Sequence, residues 1–255
     1  MRACQATSAI VLRSRPFGES DKIVSFLTEK YGKITGIAKG AKRSRKRFVN
    51  SLEPFSLVNL RFQERSHSSL AFILSSELLH SFQRLATGLD KLSFASYLVE
   101  ITDGLIGEAE ENQLVFQHLK DGLCYLNDND ASLRFLTAFE LTLLRLAGYQ
   151  PSLDGCKRCG SDRPDSRSAR WQFSPKDGGI LCASCSRARK ETLPLGATAV
   201  EVLTRLQAAK DMMLPRLSLP SSVVREIRSV VLRFIQFHME REIKSAAFLY
   251  LFAAN

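Results

Sequence analysis

Cys156 and Cys159 form one Cys-x-x-Cys pair and Cys182 and Cys185 form another, with 22 residues between the pairs. A turn of this kind brings both sulfurs to one ion while nearby backbone amides hydrogen-bond the thiolates. Two such turns supply the tetrahedral set of four that closes a structural zinc site. Four thiolates leave no open position for water, so a single zinc ion here is expected to hold structure and not to act as a Lewis acid. The interval slightly exceeds that of a usual zinc ribbon, which leaves room for a small hairpin around residues 171–173 and a turn at Gly178 and Gly179. Residues 151–195 carry too few apolar side chains for a core of their own, so the metal is expected to fasten this loop to a larger body.

The chain is long enough for that body. At 255 residues, two domains are the default expectation. Apolar residues make up 45% and charged residues 24%, as in an ordinary globular protein. No apolar run approaches the roughly 20 residues of a membrane span. Near the N-terminus only residues 9–12 form an apolar stretch, too short for a signal-peptide core. Paired cysteines of this kind read as metal ligands in a reducing compartment, and the solitary Cys4 and Cys124 read as small apolar residues. A cytoplasmic protein with no membrane partner is expected, associated with the nucleoid if DNA is its partner.

The first 80 residues read as strands. Segments 8–13, 23–28, 33–39, 55–63 and 69–79 are short, rich in Val, Ile and Phe, and separated by turn signals at 16–18, 31–32, Gly40 and 65–69. In 55–63 the alternation places Val58, Leu60 and Phe62 on one face and Asn59, Arg61 and Gln63 on the other. Five short strands without a long helical pattern suit a small closed barrel, of OB type by strand count, although an SH3-like barrel fits the pattern too. Beyond Gln83 the period becomes helical. The apolar stripes are Leu85, Leu89, Leu92, Tyr97, Leu98, Ile101 and Leu105; then Leu114, Val115, Leu119, Leu123 and Leu126; then Leu133, Leu136, Phe139, Leu144 and Leu146. Further helices fit 197–209 and 221–241, the latter capped by Ser221 or Ser222 and burying Val224, Ile227, Val231, Phe234 and His238, with Pro215 and Pro220 isolating the segment between. The expected architecture is an α+β multidomain chain. An OB-type nucleic-acid-binding barrel (1–80) precedes a helical domain (81–255) that carries the zinc-binding loop at 151–195.

Charge is polarised along this plan. Residues 1–80 hold 14 Lys and Arg against 6 Asp and Glu, whereas 81–150 hold 5 against 10. A basic head points to a polyanion partner there. Its densest part runs from Lys39 to Arg47, where Lys39, Lys42, Arg43, Arg45, Lys46 and Arg47 place six cations in nine positions with no acid between them. Clustered like charges repel, so such a run is expected to meet an anion as a mobile arm beside the barrel; a solvated loop or a localisation signal is the plain alternative. Arg15 and Lys33, with Arg13 and Lys22, would extend the same DNA-binding face. Phe48 and Tyr31 could stack on bases, but aromatics beside strands more often belong to the core.

No Gly-x-x-x-x-Gly-Lys-Ser/Thr loop, Gly-x-Ser-x-Gly elbow or His-Glu-x-x-His pair occurs, so no enzymatic activity is expected. The scattered His67, His80, His118 and His238 read as packed or solvated, and Glu108, Glu110 and Glu111 as acids favouring a helix N-terminus. Composition and spacing alone leave open a zinc-ribbon nucleic-acid module of transcription or translation.

A family resemblance narrows that choice. Gly148-Tyr149-Gln-Pro151-Ser-Leu153-Asp-Gly-Cys156-Lys-Arg-Cys159-Gly160 resembles the Gly-Tyr-x-Pro-x-Leu-x-x-Cys-x-x-Cys-Gly element of RecO, a family of bacterial DNA repair and recombination proteins. Ser174-Pro-Lys-Asp-Gly178-Gly179-Ile-Leu-Cys182-x-x-Cys185, Gly36-Ile-Ala-Lys39-Gly40-Ala41, Lys244-Ser245 and the opening Val11-Leu-x-x-Arg15-x-x-Gly18-Glu19-x-Asp21 match in order. The resemblance implies an OB fold, a helical body and a zinc loop, binding of single- and double-stranded DNA, and annealing of complementary strands without ATP. It also implies work with RecR and with single-stranded DNA-binding protein, helping to load RecA onto coated strands. A groove on the helical body, lined by basic residues such as Arg225 or Arg228, could receive a partner's acidic, apolar tail.

Overall fold

The computed structural model describes residues 4–64, 69–108, 111–162, 170–209 and 219–252. Of the sequence expectations, residues 65–68 of the turn at 65–69, His67, Glu110 and Pro215 lie outside the described residues. The chain divides into two compact units, Met1–Ala131 with Ser245–Asn255, and Ser132–Lys244.

In the first unit, β1 (Gln5–Phe17), β2 (Asp21–Thr28), β3 (Lys33–Ala38), β4 (Leu57–Gln63) and β5 (Ala71–His80) close a barrel in the order β1-β2-β3-β5-β4. β1 spans both halves. Its first part pairs with β4 (Gln5↔Phe62 to Ile10↔Leu57) and its second with β2 (Ala9↔Thr28 to Phe17↔Asp21), and a bulge between Val11 and Arg13 bends it from one to the other. β3 meets β5 in parallel at Gly36↔Ala71, which closes the ring. A Cβ on Gly36 would stand 2.4 Å from the Ile73 side chain, so the seam needs a residue without one. This connectivity is that of the OB fold and not of an SH3-like barrel. The interior is apolar: Val11, Val24, Phe26, Val58, Leu60, Phe62 and Ile73 are fully enclosed, as the alternation in β4 requires.

α1 (Leu89–Leu105) and α2 (Gln113–Asp128) pack on the barrel in the same unit. α1 is buried nearly all round between Phe94 and Leu105, whereas Leu89, Leu92 and Leu114 of the expected stripes are exposed near the helix starts. α2 is capped by Asn112, whose side chain accepts from the Val115 N–H, and no acid sits in its first turn. Asn112 supplies the cap, Glu111 stands immediately before it at the helix N-terminus, and Glu108 lies against Thr35 of β3. A short helix, α7 (Ala246–Phe252), returns to this unit, and Ser245 donates to Glu100 of α1 through both its N–H (2.8 Å) and its hydroxyl (2.6 Å). The apolar period along the sequence does not announce this helix.

In the second unit, α3 (Leu133–Leu146) packs on α5 (Ala197–Ala208) and α6 (Ser221–Met239), and these two meet the edge of a three-stranded sheet of β6 (Arg170–Ser174), β7 (Gly179–Leu181) and β8 (Leu193–Gly196), ordered β7-β6-β8. β6 and β7 form the hairpin expected between the cysteine pairs, and β8 adds an edge the periodicity did not reveal. The sheet packs on α6 through Phe173 and Phe234, whose rings meet edge to face at 5.2 Å, and the Gly196 N–H donates to Glu226 at 2.9 Å. Among the described residues no helix is long and apolar enough to cross a membrane.

Candidate nucleic-acid interface and metal centre

The basic run is folded onto the barrel and is not a free arm. Ala41–Arg43 form a 3-10 turn after Gly40, whose φ of 68° a residue with a side chain would adopt only with strain. The Gly40 N–H and the Ser20 hydroxyl both donate to Asp21 Oδ1, at 2.8 and 2.9 Å. These bonds, the Gly40 amide foremost, hold the Asp21 carboxyl below the usual carboxylate range, with Lys39 and Lys42 adding to the effect. Lys42 joins the same turn from the other side, its backbone N–H donating to Ser20 O (2.9 Å) and its Nζ to Gly18 O (2.8 Å). Arg47 donates to Lys39 O at 2.8 Å and lies over the Phe48 ring at 5.0 Å. Phe48 itself is buried in the barrel core beside Leu52, and Tyr31 packs edge to face on Phe62. Phe48 is thus a core residue, and Tyr31 is half-buried with its ring packed against that core.

Several cations remain at the surface. Arg15, Lys39, Arg43, Arg45 and Lys46 are exposed and form no hydrogen bond or ion pair through their side chains among the described residues. Lys42 and Arg47 are exposed too, although each also braces the segment. Lys33 stands apart from them. It is buried on the outer face of β3, where its Nζ donates to Asp103 O (2.8 Å) and pairs with the Asp103 carboxylate at 3.5 Å. Arg13 pairs with the same carboxylate at 3.0 Å and Lys22 with Glu53 at 2.8 Å. Charge counting over residues 1–80 could not include the partner of Lys33 and Arg13, because Asp103 lies in α1, 70 residues from Lys33.

The four cysteines converge in the second unit. Their Sγ atoms all lie within 4.8 Å of one another, with Cys159 and Cys182 at 3.8 Å. Tetrahedral zinc with about 2.3 Å bonds sets sulfurs about 3.8 Å apart, so the set fits such an ion. The first pair sits in a turn closed by Gly160 N–H donating to Cys156 O (2.9 Å), and Cys156 N–H to Ser161 O (2.9 Å). Cys182 precedes the single-turn helix α4 (Ala183–Ser186), which carries Cys185. β7 holds the two turns together: Lys157 N–H donates to Ile180 O, and Ser152 exchanges bonds with Gly178 and Ile180. A Cβ on Gly179 would lie 2.6 Å from Ser152 O, so this approach requires glycine. Burial opposes the Cys156 thiolate, but the N–H groups around it, those of Cys159, Cys182 and Arg158, outweigh burial and lower its pKa to about 6. Cys185 is pushed up to about 12, first by the adjacent Cys182 sulfur and then by burial and the remaining sulfurs. Four sulfurs this close cannot all ionise without a cation among them. The cluster could hold a metal ion, one sulfur from each residue.

A brace that the sequence reading did not assign steadies this centre. Asp177 accepts from the Ser174 hydroxyl and from Arg189, each at 2.5 Å, tying the β6–β7 turn to the segment after Cys185. Burial opposes the Asp177 carboxylate, yet these donors hold its pKa below the usual range. Arg228, expected at a groove, is instead buried in α6 and paired with Glu140 of α3, which excludes it from a surface role; Arg225 is exposed.

Comparison with known proteins agrees with this arrangement. Residues 1–82 match the family model described as Recombination protein O N terminal, and residues 86–247 that described as Recombination protein O C terminal. The chain is 33% identical over 246 residues to the DNA repair protein RecO of Syntrophus aciditrophicus, covering 96% of this chain and 94% of that protein. It is 34% identical over 248 residues to that of Anaeromyxobacter sp. (strain K), at 95% and 94% coverage, and 32% over 243 residues to that of Caldanaerobacter subterraneus subsp. tengcongensis, at 95% and 96%. With both halves matched in order and a closed barrel leading into helices and a four-cysteine cluster, the chain belongs to the RecO family of DNA repair and recombination proteins.

Proposed function

We propose that this chain is a non-catalytic recombination mediator in DNA repair whose barrel, residues 1–80, holds single- and double-stranded DNA through the 39–47 segment and Arg15. In this reading it anneals complementary strands without ATP and, with RecR, helps load RecA onto single strands coated by single-stranded DNA-binding protein. One zinc ion on Cys156, Cys159, Cys182 and Cys185 supports the fold. The observation that carries the DNA assignment is the anchoring of the segment bearing exposed Lys39, Arg43, Arg45 and Lys46 to the β1–β2 turn, through Gly40 on Asp21 and Lys42 on Gly18 and Ser20. A positioned row of cations neutralises successive phosphates without selecting sequence. Lys33 has no part in it, since its ammonium is held by Asp103.

The test compares salt dependence. Replacing Arg43, Arg45 and Arg47 together with Ala is expected to weaken DNA binding and to flatten the slope of log affinity on log salt by about 2 on single strands. Lys33→Ala is expected to leave that slope unchanged and to cost about 1.5–3 kcal/mol of stability through its lost charged hydrogen bond. A triple variant with wild-type affinity at low salt sinks the assignment. Mixing complementary strands coated by single-stranded DNA-binding protein, without nucleotide, should yield annealed and uncut product.

A further inference from the structure

The tip of the β1–β2 hairpin leaves Phe17 50% exposed, between the exposed Pro16 and Gly18. Single exposed apolar residues are common on protein surfaces, so exposure alone decides nothing. The surroundings of Phe17 are what matter. Arg15 lies two residues back on the same strand, and side chains at i and i+2 share a face. Gly18, next in the chain, has its carbonyl bound by Lys42 Nζ at 2.8 Å, and Ser20 O receives the Lys42 N–H at 2.9 Å. The turn that displays Phe17 is therefore the turn to which the basic segment is fastened. Elsewhere, the outer face of β2 and β3, a common nucleic-acid platform in OB folds, is largely closed: Ile23 and Ile37 are buried, Lys33 is paired with Asp103, and Thr35 donates to Glu108. A strand held by the 39–47 cations is left with this end of the barrel, where Phe17 offers an exposed ring.

We propose that Phe17 is a stacking platform for an unpaired base, so that this end of the barrel binds single-stranded DNA more tightly than duplex. The inference rests on reading the 39–47 segment and Arg15 as the phosphate-binding surface. Cations alone grip both forms of DNA, whereas only an unpaired strand can bring the face of a base onto a protein ring. The stacking expected at Phe48 or Tyr31 falls on rings that are in the core or packed against it, whereas Phe17 stood in the sequence only as part of a turn signal.

The experiment measures binding of the full chain to an oligo-dT strand and to a duplex of equal length at the same salt. Phe17→Ala is expected to lose about tenfold on oligo-dT, the effect of removing one stacked base, with duplex affinity unchanged. Phe17→Leu, which keeps apolar bulk without a ring, is expected to lose nearly as much. Phe17→Trp is expected to keep the affinity and to be quenched by oligo-dT, read by difference against the wild type, whose one tryptophan is Trp171. Unchanged melting temperatures confirm that these tip variants fold. Wild-type oligo-dT affinity in Phe17→Ala, or an equal loss on both DNA forms, overturns the proposal. If instead the Arg43, Arg45 and Arg47 triple variant binds both forms as the wild type does, the underlying surface is wrong and the stacking site falls with it.

Discussion

The Gly40 N–H donates to Asp21 Oδ1 at 2.8 Å, so an acid in the β1–β2 turn holds the first bend of a segment rich in cations. Long-range electrostatics and local anchoring make opposite predictions for its removal. Asp21→Ala makes the chain one unit more positive, which by charge alone should tighten DNA binding. If position governs, the variant binds DNA more weakly, because the freed segment must be ordered again on each encounter. Asp21→Asn keeps an acceptor for Gly40 and is expected to bind at least as well as the wild type. The Asp21 pKa is depressed in the folded chain, so its anchoring is fully present above the ordinary carboxylate pKa and is lost only as pH falls through the lower, folded value. The Gly40 amide resonance should accordingly stay constant at neutral pH and shift only in acid.

The cysteine cluster predicts metal content. About one zinc per chain is expected by elemental analysis, and chelation should lower the melting temperature by destabilising the β6–β7–β8 sheet and what packs on it. Cys156→Ser should lose the metal and cost several kcal/mol or prevent folding, since Cys156 is the buried member of the set. DNA binding by the barrel should outlast metal loss in whatever fraction stays folded. A metal-free wild type with an unchanged melting temperature would contradict the structural role.

What could be read from sequence, and what could not, divides by distance along the chain. Val58, Leu60 and Phe62 announced their shared face because alternation is local, and the cysteine pairs announced a metal turn because ligand spacing is local. Lys33 and Arg228 were misread as surface cations for one reason. Their partners, Asp103 and Glu140, lie 70 and 88 residues away, and only the fold brings them together. The basic segment was visible as charge, but its anchoring was not. It depends on Phe48 entering the core and on Asp21 reaching across the turn. α7 escaped because seven residues are too few for a periodic signal, and Ser245 meets Glu100 from 145 residues away.

Arg228 and Glu140 form a buried ion pair, with 8% and 0% of their side chains exposed, and Thr137 stands beside the arginine. Breaking such a pair from one side leaves an uncompensated charge in the interior. Glu140→Leu or Arg228→Met alone should cost about 3–5 kcal/mol, and the double variant should recover most of that loss. Chemical denaturation of the four proteins gives the coupling directly. DNA affinity should be unchanged in the double variant, because this arginine is not part of the exposed cationic surface. A double variant no more stable than the singles would show that the pair is not the unit that matters.

Tyr149 stacks on His238 with ring centroids 4.1 Å apart, and Phe234 and Phe237 meet the imidazole edge to face at 4.6 and 5.4 Å. The Nε2 atom is buried among these rings without a hydrogen-bond partner among the described residues. Burial lowers the His238 pKa, since the charged form would lose its water there. The unfolded chain takes up a proton at this histidine near pH 6.5 and the folded chain only below that, so stability is highest above about 6.5 and falls as pH drops toward the folded pKa. In His238→Phe the rings still pack and the titration is gone. Its melting temperature should therefore decline less than that of the wild type between about pH 7 and pH 5, while acid effects at the cysteine cluster act on both proteins alike. Parallel curves for the two proteins would mean that His238 protonates in the folded chain as easily as in the unfolded one, and that its aromatic surroundings do not exclude water as their geometry indicates.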